Sequence, residues 1–223
     1  MPPPAPAQPS RKPGAAFDPG CRRCPRLAQF LDVVRRQHPD YHCRPVAPFG
    51  AARPSLFVVG LAPGMHGANR TGRPFTGDHA GILLYRTLHD TGFATRAEST
   101  GPGDGLRLLD CRISNAVKCL PPGNKPGPDE VRRCNQYLVH EIHALAGGAV
   151  IVALGRIAHG AVLRALSLKA RDYGFAHGAE HRLPGGHTLL DSYHCSRLNT
   201  NTGRLTPAMF RRVFARARHL IAD

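Results

Sequence analysis

Apolar residues recur along this chain in two rhythms. Short continuous apolar runs predict buried strands at Ser55–Gly60, Arg112–Lys118, Val150–Leu154 and Thr188–Tyr193. Between them apolar positions return every three or four residues. That spacing predicts helices near Arg23–Gln37, His79–Thr91, Asp129–Leu145, Arg156–Ala165 and Pro207–Leu220. Local chemistry supports several boundaries. Pro128 precedes Asp129 and Glu130, which suit the positive end of a helix dipole. Gly147 and Gly148 stop that helix, and Gly155 closes the next strand. Strand and helix alternate, so the predicted class is α/β: a short, mostly parallel four-stranded sheet with helices on both faces.

In such sheets ligands bind beyond the carboxyl ends of the strands. Three loops leave those ends with unusual polar content: Leu61–Asp78, Cys119–Pro128 and His194–Thr206. Two other stretches, Ala94–Gly105 and Lys169–Gly186, read as surface loops. No internal repeat is present. Residues 1–16 are Pro- and Ala-rich and read as a disordered tail, leaving 17–223 as one domain. The first residues lack an apolar core and a charged leader, and do not read as a signal peptide.

Charge narrows the partner. The 223 residues carry 30 Lys and Arg against 15 Asp and Glu, a net charge of +15 with a pI near 10.4. A chain this basic suits a polyanion, and the bland alternative is an Arg-rich solvated surface. No apolar run approaches the roughly 20 residues of a membrane span.

The seven cysteines are an odd number for a disulfide framework, and a reduced cytoplasmic chain is expected. Cys21 and Cys24 form a C-x2-C pair, which lets two thiolates reach one metal centre from a single turn. Cys119 and Cys134 are positioned to complete a four-sulfur site for an iron–sulfur cluster or zinc. They also fit the plainer role of small buried hydrophobes. Cys43, Cys111 and Cys195 have no partner spacing.

The loop from Gly60 to Asp78 combines glycines with Arg70, Arg73, Phe75 and Asp78. Its glycines allow backbone N–H groups close to a ligand, and the helix start that follows favours negative charge. It lacks the G-x4-G-K-[ST] lysine of a phosphate-binding P-loop. The third loop places His194 at a strand end. Arg197, Leu198, Asn199 and Arg204 follow it. Hydroxyls, amides and arginines of this kind contact phosphates. Leu198, isolated among polar residues, suits a wedge between bases or a side chain folded back on the core.

These blocks, Gly60–Asp78, Asn115–Cys134 and Tyr193–Thr206, with the C-x2-C ahead of them, resemble the family 5, or type B, uracil-DNA glycosylases. The resemblance covers about residues 20 to 221. It implies a three-layer α/β/α sandwich and a structural 4Fe–4S cluster on Cys21, Cys24, Cys119 and Cys134. It also implies damaged double-stranded DNA as partner, and hydrolysis of the N-glycosidic bond of a flipped base. Phe75 matches the ring that stacks on the base, in the pocket of Gly60 and Leu61. Asn124 matches an active-site amide, and Asn115 lies where many superfamily members read the base. Both stay open as the base reader, because an amide offers donor and acceptor together.

Catalysis of this kind stabilises a base leaving with negative charge and a cation-like sugar. By the resemblance His194 donates to the base and Asp78 places the water. Asp78 also suits a helix N-cap. Leu61 stands where several branches carry an acid, which implies a catalyst less exclusive for uracil, with hypoxanthine and ethenocytosine as further substrates. Cys195 replaces a proline common in the wider superfamily, which implies a less rigid loop. A monomer is expected, acting in the cytoplasm at the nucleoid. The alternative is a non-catalytic DNA-binding iron–sulfur protein, which would keep the charge and cysteines but need neither Phe75, Asp78 nor His194.

Overall fold

The computed structural model describes residues 14–222, so most of the expected tail, residues 1–13, lies outside the described residues. Six strands form one sheet: β1 (Phe49–Gly50), β2 (Leu56–Gly60), β3 (Cys111–Asn115), β4 (Val150–Leu154), β5 (Glu180–Arg182) and β6 (Thr188–Ser192). Their order is β1-β3-β2-β4-β6-β5. The inner four are parallel, and the two short outer strands run antiparallel to their neighbours.

The four predicted strands are the parallel core. The expectation of a four-stranded sheet is corrected by β1 and β5. These edge strands, of two and three residues, bury too little to leave an apolar signature. Residues of β2, β4 and β6 are buried throughout, because helices cover both faces.

Among the described residues seven α-helices accompany the sheet: α1 (Pro25–Gln37), α2 (Ala68–Thr71), α3 (His79–Asp90), α4 (Pro128–His143), α5 (Arg156–Ala165), α6 (Arg197–Asn201) and α7 (Pro207–Ala222). Leu56, Val58, Val150 and Val152 meet Leu84 and Leu88 of α3 and Phe210 and Phe214 of α7. On the other face Phe57, Val59, Ile151 and Ala153 meet Leu138 and Ile142 of α4 and Ala158 and Val162 of α5. Alternate residues of each strand therefore feed two separate cores, and the result is the expected three-layer α/β/α sandwich. The start of α4 is fixed as its sequence predicts. Pro128 opens it, and Glu130 Oε2 accepts the N–H of Gly127 at 2.6 Å.

Two departures from expectation bear on the site. β3 ends at Asn115 rather than Lys118, since Ala116 and Val117 turn to donate to the carbonyls of Gly60 and Leu61. The two loops Leu61–Asp78 and His194–Thr206 each contain a short helix, α2 and α6. Among the described residues no helix is long and apolar enough to cross a membrane.

Candidate active site

Register aligns the carboxyl ends of the strands. Gly60 pairs with Asn115 across β2 and β3, and Leu154 pairs with Ser192 across β4 and β6. The three polar loops open from these ends around one cavity of about 1150 Å³. Leu61, Phe75, Asp78, Asn115, Asn124 and His194 all line it. Residues far apart in sequence meet there because parallel strands deliver their loops to the same edge.

Phe75 is held tightly. A Cβ at Gly60 would lie 2.5 Å from both Phe75 Cζ and Asn115 Oδ1, so only glycine lets the ring and the amide approach the strand end. A Cβ at Gly81, in the first turn of α3, would lie 1.7 Å from the Phe75 carbonyl oxygen. Phe75 itself has φ 56°, in the left-handed region that costs a non-glycine residue on the order of 1–3 kcal/mol. The loop over-determines that conformation, as strained site residues require.

Asp78 caps α3: its Oδ1 accepts the Gly81 N–H at 3.0 Å. Its Oδ2 lies over Gly64 and Gly67, where added Cβ atoms would come within 3.2 and 2.5 Å. The cap therefore uses one oxygen, and the other faces the glycine turn at the cavity wall. Burial raises the carboxyl above its ordinary value, while N–H groups of Gly81 and Ala80 oppose the shift.

His194 follows β6 by two residues. Burial pushes its imidazole down to about 4, so the ring is neutral at neutral pH. A neutral imidazole still donates from one nitrogen. The Asn199 side-chain amide donates to the His194 carbonyl at 2.8 Å and fixes the backbone. Cys195, next in sequence, is fully buried in the core shared with Leu205 and Phe210. That anchor limits the looseness expected from the missing proline.

The two amides separate by depth. Asn115 is 3% exposed, and its Oδ1 has no hydrogen-bond partner among the described residues. An orphaned buried amide oxygen at a cavity is costly unless a ligand meets it. Asn124 is exposed in a turn at the mouth, with φ 57°.

The outer face of the cavity carries the wedge candidate. Leu198 is 73% exposed on α6, so it does not fold back on the core. Arg197 beside it is exposed and lines the cavity. Arg204 is exposed and stacks over the Tyr193 ring at 4.6 Å. Arg70 is exposed on α2 beside the cavity lining, where it donates from Nε to the His66 carbonyl at 2.8 Å.

One expectation is corrected. Arg73 does not face solvent: it is 8% exposed and paired with Asp104 at 2.8 Å. A guanidinium so buried and paired cannot reach a phosphate. Asn199 lines the cavity, and its amide nitrogen donates to the His194 carbonyl, so the side chain also supports the loop.

The sequence reading missed the strap Ala97–Thr100, which forms part of the cavity wall. It also missed Ile82, 62% exposed on the first turns of α3 and in the lining. Neither carries a motif, and only long-range folding brings them here.

Behind the site, Cys21, Cys24, Cys119 and Cys134 line a second cavity with Leu27, Val117 and Tyr137. None of the four is in a disulfide. The Lys118 N–H points at Cys134 Sγ at 3.3 Å, the kind of bond that supports a thiolate. Burial raises Cys119, and its neighbours Cys134, Cys21 and Cys24 raise it further. Burial likewise raises Cys24 and Cys134, and thiols that disfavour charge by themselves are stabilised as thiolates by a cationic centre. Four cysteines lining one buried cavity are a donor set that can hold a metal centre.

Comparison with known proteins agrees with this geometry. Residues 47–218 match the family described as the uracil DNA glycosylase superfamily. A type-5 uracil-DNA glycosylase of Thermus thermophilus is 48% identical over 205 residues, covering 90% of this chain and 93% of that protein. One of Mycobacterium leprae is 43% identical over 208 residues, covering 90% and 91%. A type-4 uracil-DNA glycosylase of Archaeoglobus fulgidus is 38% identical over 110 residues, about half of each chain at 49% and 47%. The chain belongs to the uracil-DNA glycosylase superfamily, in its type-5 branch.

Proposed function

We propose that this member of the uracil-DNA glycosylase superfamily excises uracil from double-stranded DNA and leaves an abasic site. The observation that carries the reading is the convergence of Phe75, Asp78, Asn115 and His194 on one cavity, with Leu198 exposed beside it. The net charge of +15 supplies the attraction for a phosphate backbone.

A base within the duplex is out of reach, so it must rotate out of the stack. Leu198 fills the vacated space, and Arg197, Arg204 and Arg70 contact phosphates. The base lies on Phe75 in the pocket of Gly60 and Leu61. Asn115 reads its edge from the cavity floor, and Asn124 contacts it from the mouth. As the C1′–N bond breaks, its electron pair leaves with the base. Neutral His194 donates a hydrogen bond to the base oxygen where charge collects. Asp78 orients the water that adds to C1′, through the oxygen that the helix cap leaves free.

Leu61 offers no acid to hold that water, so the catalyst is less tied to uracil, and hypoxanthine and ethenocytosine are further substrates. Cys21, Cys24, Cys119 and Cys134 would hold a 4Fe–4S cluster. Such a cluster supplies structural support through four metal–thiolate bonds. The protein acts as a single-domain monomer in the cytoplasm, at the nucleoid.

The test is base release from labelled duplexes carrying one uracil, hypoxanthine or ethenocytosine, read as alkali-sensitive breaks at the lesion. Release of uracil and at least one other base is expected. Release of uracil alone would mean a tighter pocket than Leu61 implies. Salt-sensitive binding without any release, by protein that holds its cluster, would favour a non-catalytic DNA-binding iron–sulfur protein.

A further inference from the structure

Arg73 resembles a phosphate contact in sequence but lies inside the fold. Its Nη1 donates to Asp104 Oδ1 at 2.9 Å, to Asp104 Oδ2 at 2.8 Å and to Ser99 Oγ at 3.0 Å. Its guanidinium covers the Phe49 ring at 4.6 Å. Asp104 in turn accepts N–H groups from Thr100, Gly101 and Leu106. Burial alone would raise that carboxyl, yet Arg73 and these N–H groups hold it well below the ordinary carboxylate range. The pair therefore gathers residues 99–106, the end of the Ala97–Thr100 strap and the turn that follows it.

The flanks of Phe75 are tied to the same strap and to α3. Thr76 Oγ1 and Ser99 Oγ lie 2.7 Å apart. Tyr85, 1% exposed on α3, donates its hydroxyl to the Pro74 carbonyl at 2.7 Å. Residues 73, 74 and 76 are thus each fixed from outside the loop, and the one between them holds a left-handed backbone. Ser99 and Thr100 belong at once to this network and to the cavity wall opposite the strand ends.

We propose that Arg73 and Asp104 are positioning residues. Their buried ion pair locks the strap against the Phe75 loop, so that one device sets both the attitude of the stacking ring and the wall that limits which bases enter. This rests on the reading of Phe75 as the ring that takes the flipped base. The network acts on the base through Phe75 and touches no phosphate.

The test is a double-mutant cycle. Arg73→Met with Asp104→Leu replaces the pair by apolar groups, a change that buried ion pairs often tolerate in stability. Phe75→Ala is made in that background and in the natural one, and single-turnover excision of uracil and hypoxanthine is measured. In the natural background Phe75→Ala should slow uracil excision roughly 10- to 100-fold, the scale of one base–aromatic stack. In the Arg73→Met/Asp104→Leu background the same change should cost less than about 3-fold, and the uracil-to-hypoxanthine ratio should shift.

An equal cost of Phe75→Ala in both backgrounds overturns the inference while leaving the stacking reading intact. No cost in the natural background removes the stacking reading and the inference together. A fall of about one in the salt slope of duplex affinity on losing Arg73 would identify a phosphate contact, and likewise overturn it. Should the double variant fail to melt cooperatively, Thr76→Val, which deletes the Ser99 tie at the same size, carries the same cycle with the same two outcomes.

Discussion

His194 and Phe75 face each other across the cavity, with ring centroids 6.1 Å apart and planes inclined by 29°. Stacking both faces of a base between two rings requires about 7 Å, twice the contact distance of carbon atoms. On the proposed reading a base stacks on Phe75 alone, with His194 at its rim as hydrogen-bond donor. The neutral state of His194 serves that role, because a charge at rest there would have to be desolvated before the reaction.

Its depressed pKa makes His194 a determinant of acid stability. The folded value of about 4 lies below the ordinary value near 6.5, so the unfolded chain binds a proton first as pH falls. The stability present above pH 6.5 is lost between 6.5 and 4, by up to about 3 kcal/mol for this group. Chemical denaturation at pH 7.5 and pH 5 should show a smaller loss for His194→Gln than for the natural chain. Equal losses would mean that the ring is already solvated in the fold. Excision by His194→Gln should fall on the order of 10²-fold, the scale of one preorganised donor.

Asp78→Asn separates the two duties of that residue. Asparagine caps a helix about as well as aspartate, so the melting temperature should move by less than ~1 kcal/mol in equivalent stability. Excision should fall by about 10²-fold or more if the carboxylate places the water. An unchanged single-turnover rate would leave Asp78 with the cap alone.

Leu198→Ala should leave stability unchanged, since the side chain is 73% exposed, and should slow excision from a U:G pair by about 10-fold. Arg197→Ala should reduce the salt slope of duplex binding by about one. Measuring both on the same duplex tests the wedge and the phosphate contact independently.

Cys119→Ala should lose the visible absorbance of an iron–sulfur cluster together with several kcal/mol of stability, because three thiols would then share one buried cavity without their metal. Cys111→Ala, at a fully buried thiol in the sheet core, should keep its colour. Absorbance lost in neither variant would exclude Cys119 as a ligand.

The parallel core was legible because strands buried on both faces must be apolar along their length, as Leu56–Val59 and Val150–Leu154 are. The five longer helices were legible because each covers one face and repeats every three to four residues, whereas α2 and α6, of four and five residues, are too short to show a period. The loops after β2 and β6 stood out because glycines, arginines and a histidine gather at the carboxyl ends of strands, where open parallel sheets build ligand sites. The edge strands were not, since β1 and β5 are held by backbone pairing to a neighbour and have no pattern of their own.

By itself the sequence determined the layered α/β/α plan, the order of the inner strands' loops and the residue types at their ends. Only the tertiary structure decided what each side chain is free to do. Arg70, Arg73, Arg197 and Arg204 are equivalent on paper, yet one is buried against Asp104 and the others are exposed. Asn115 and Asn124 offer the same amide, yet one is orphaned at the cavity floor and the other stands at the mouth. Burial and partnership arise from contacts between residues far apart in the chain, and no local pattern encodes them.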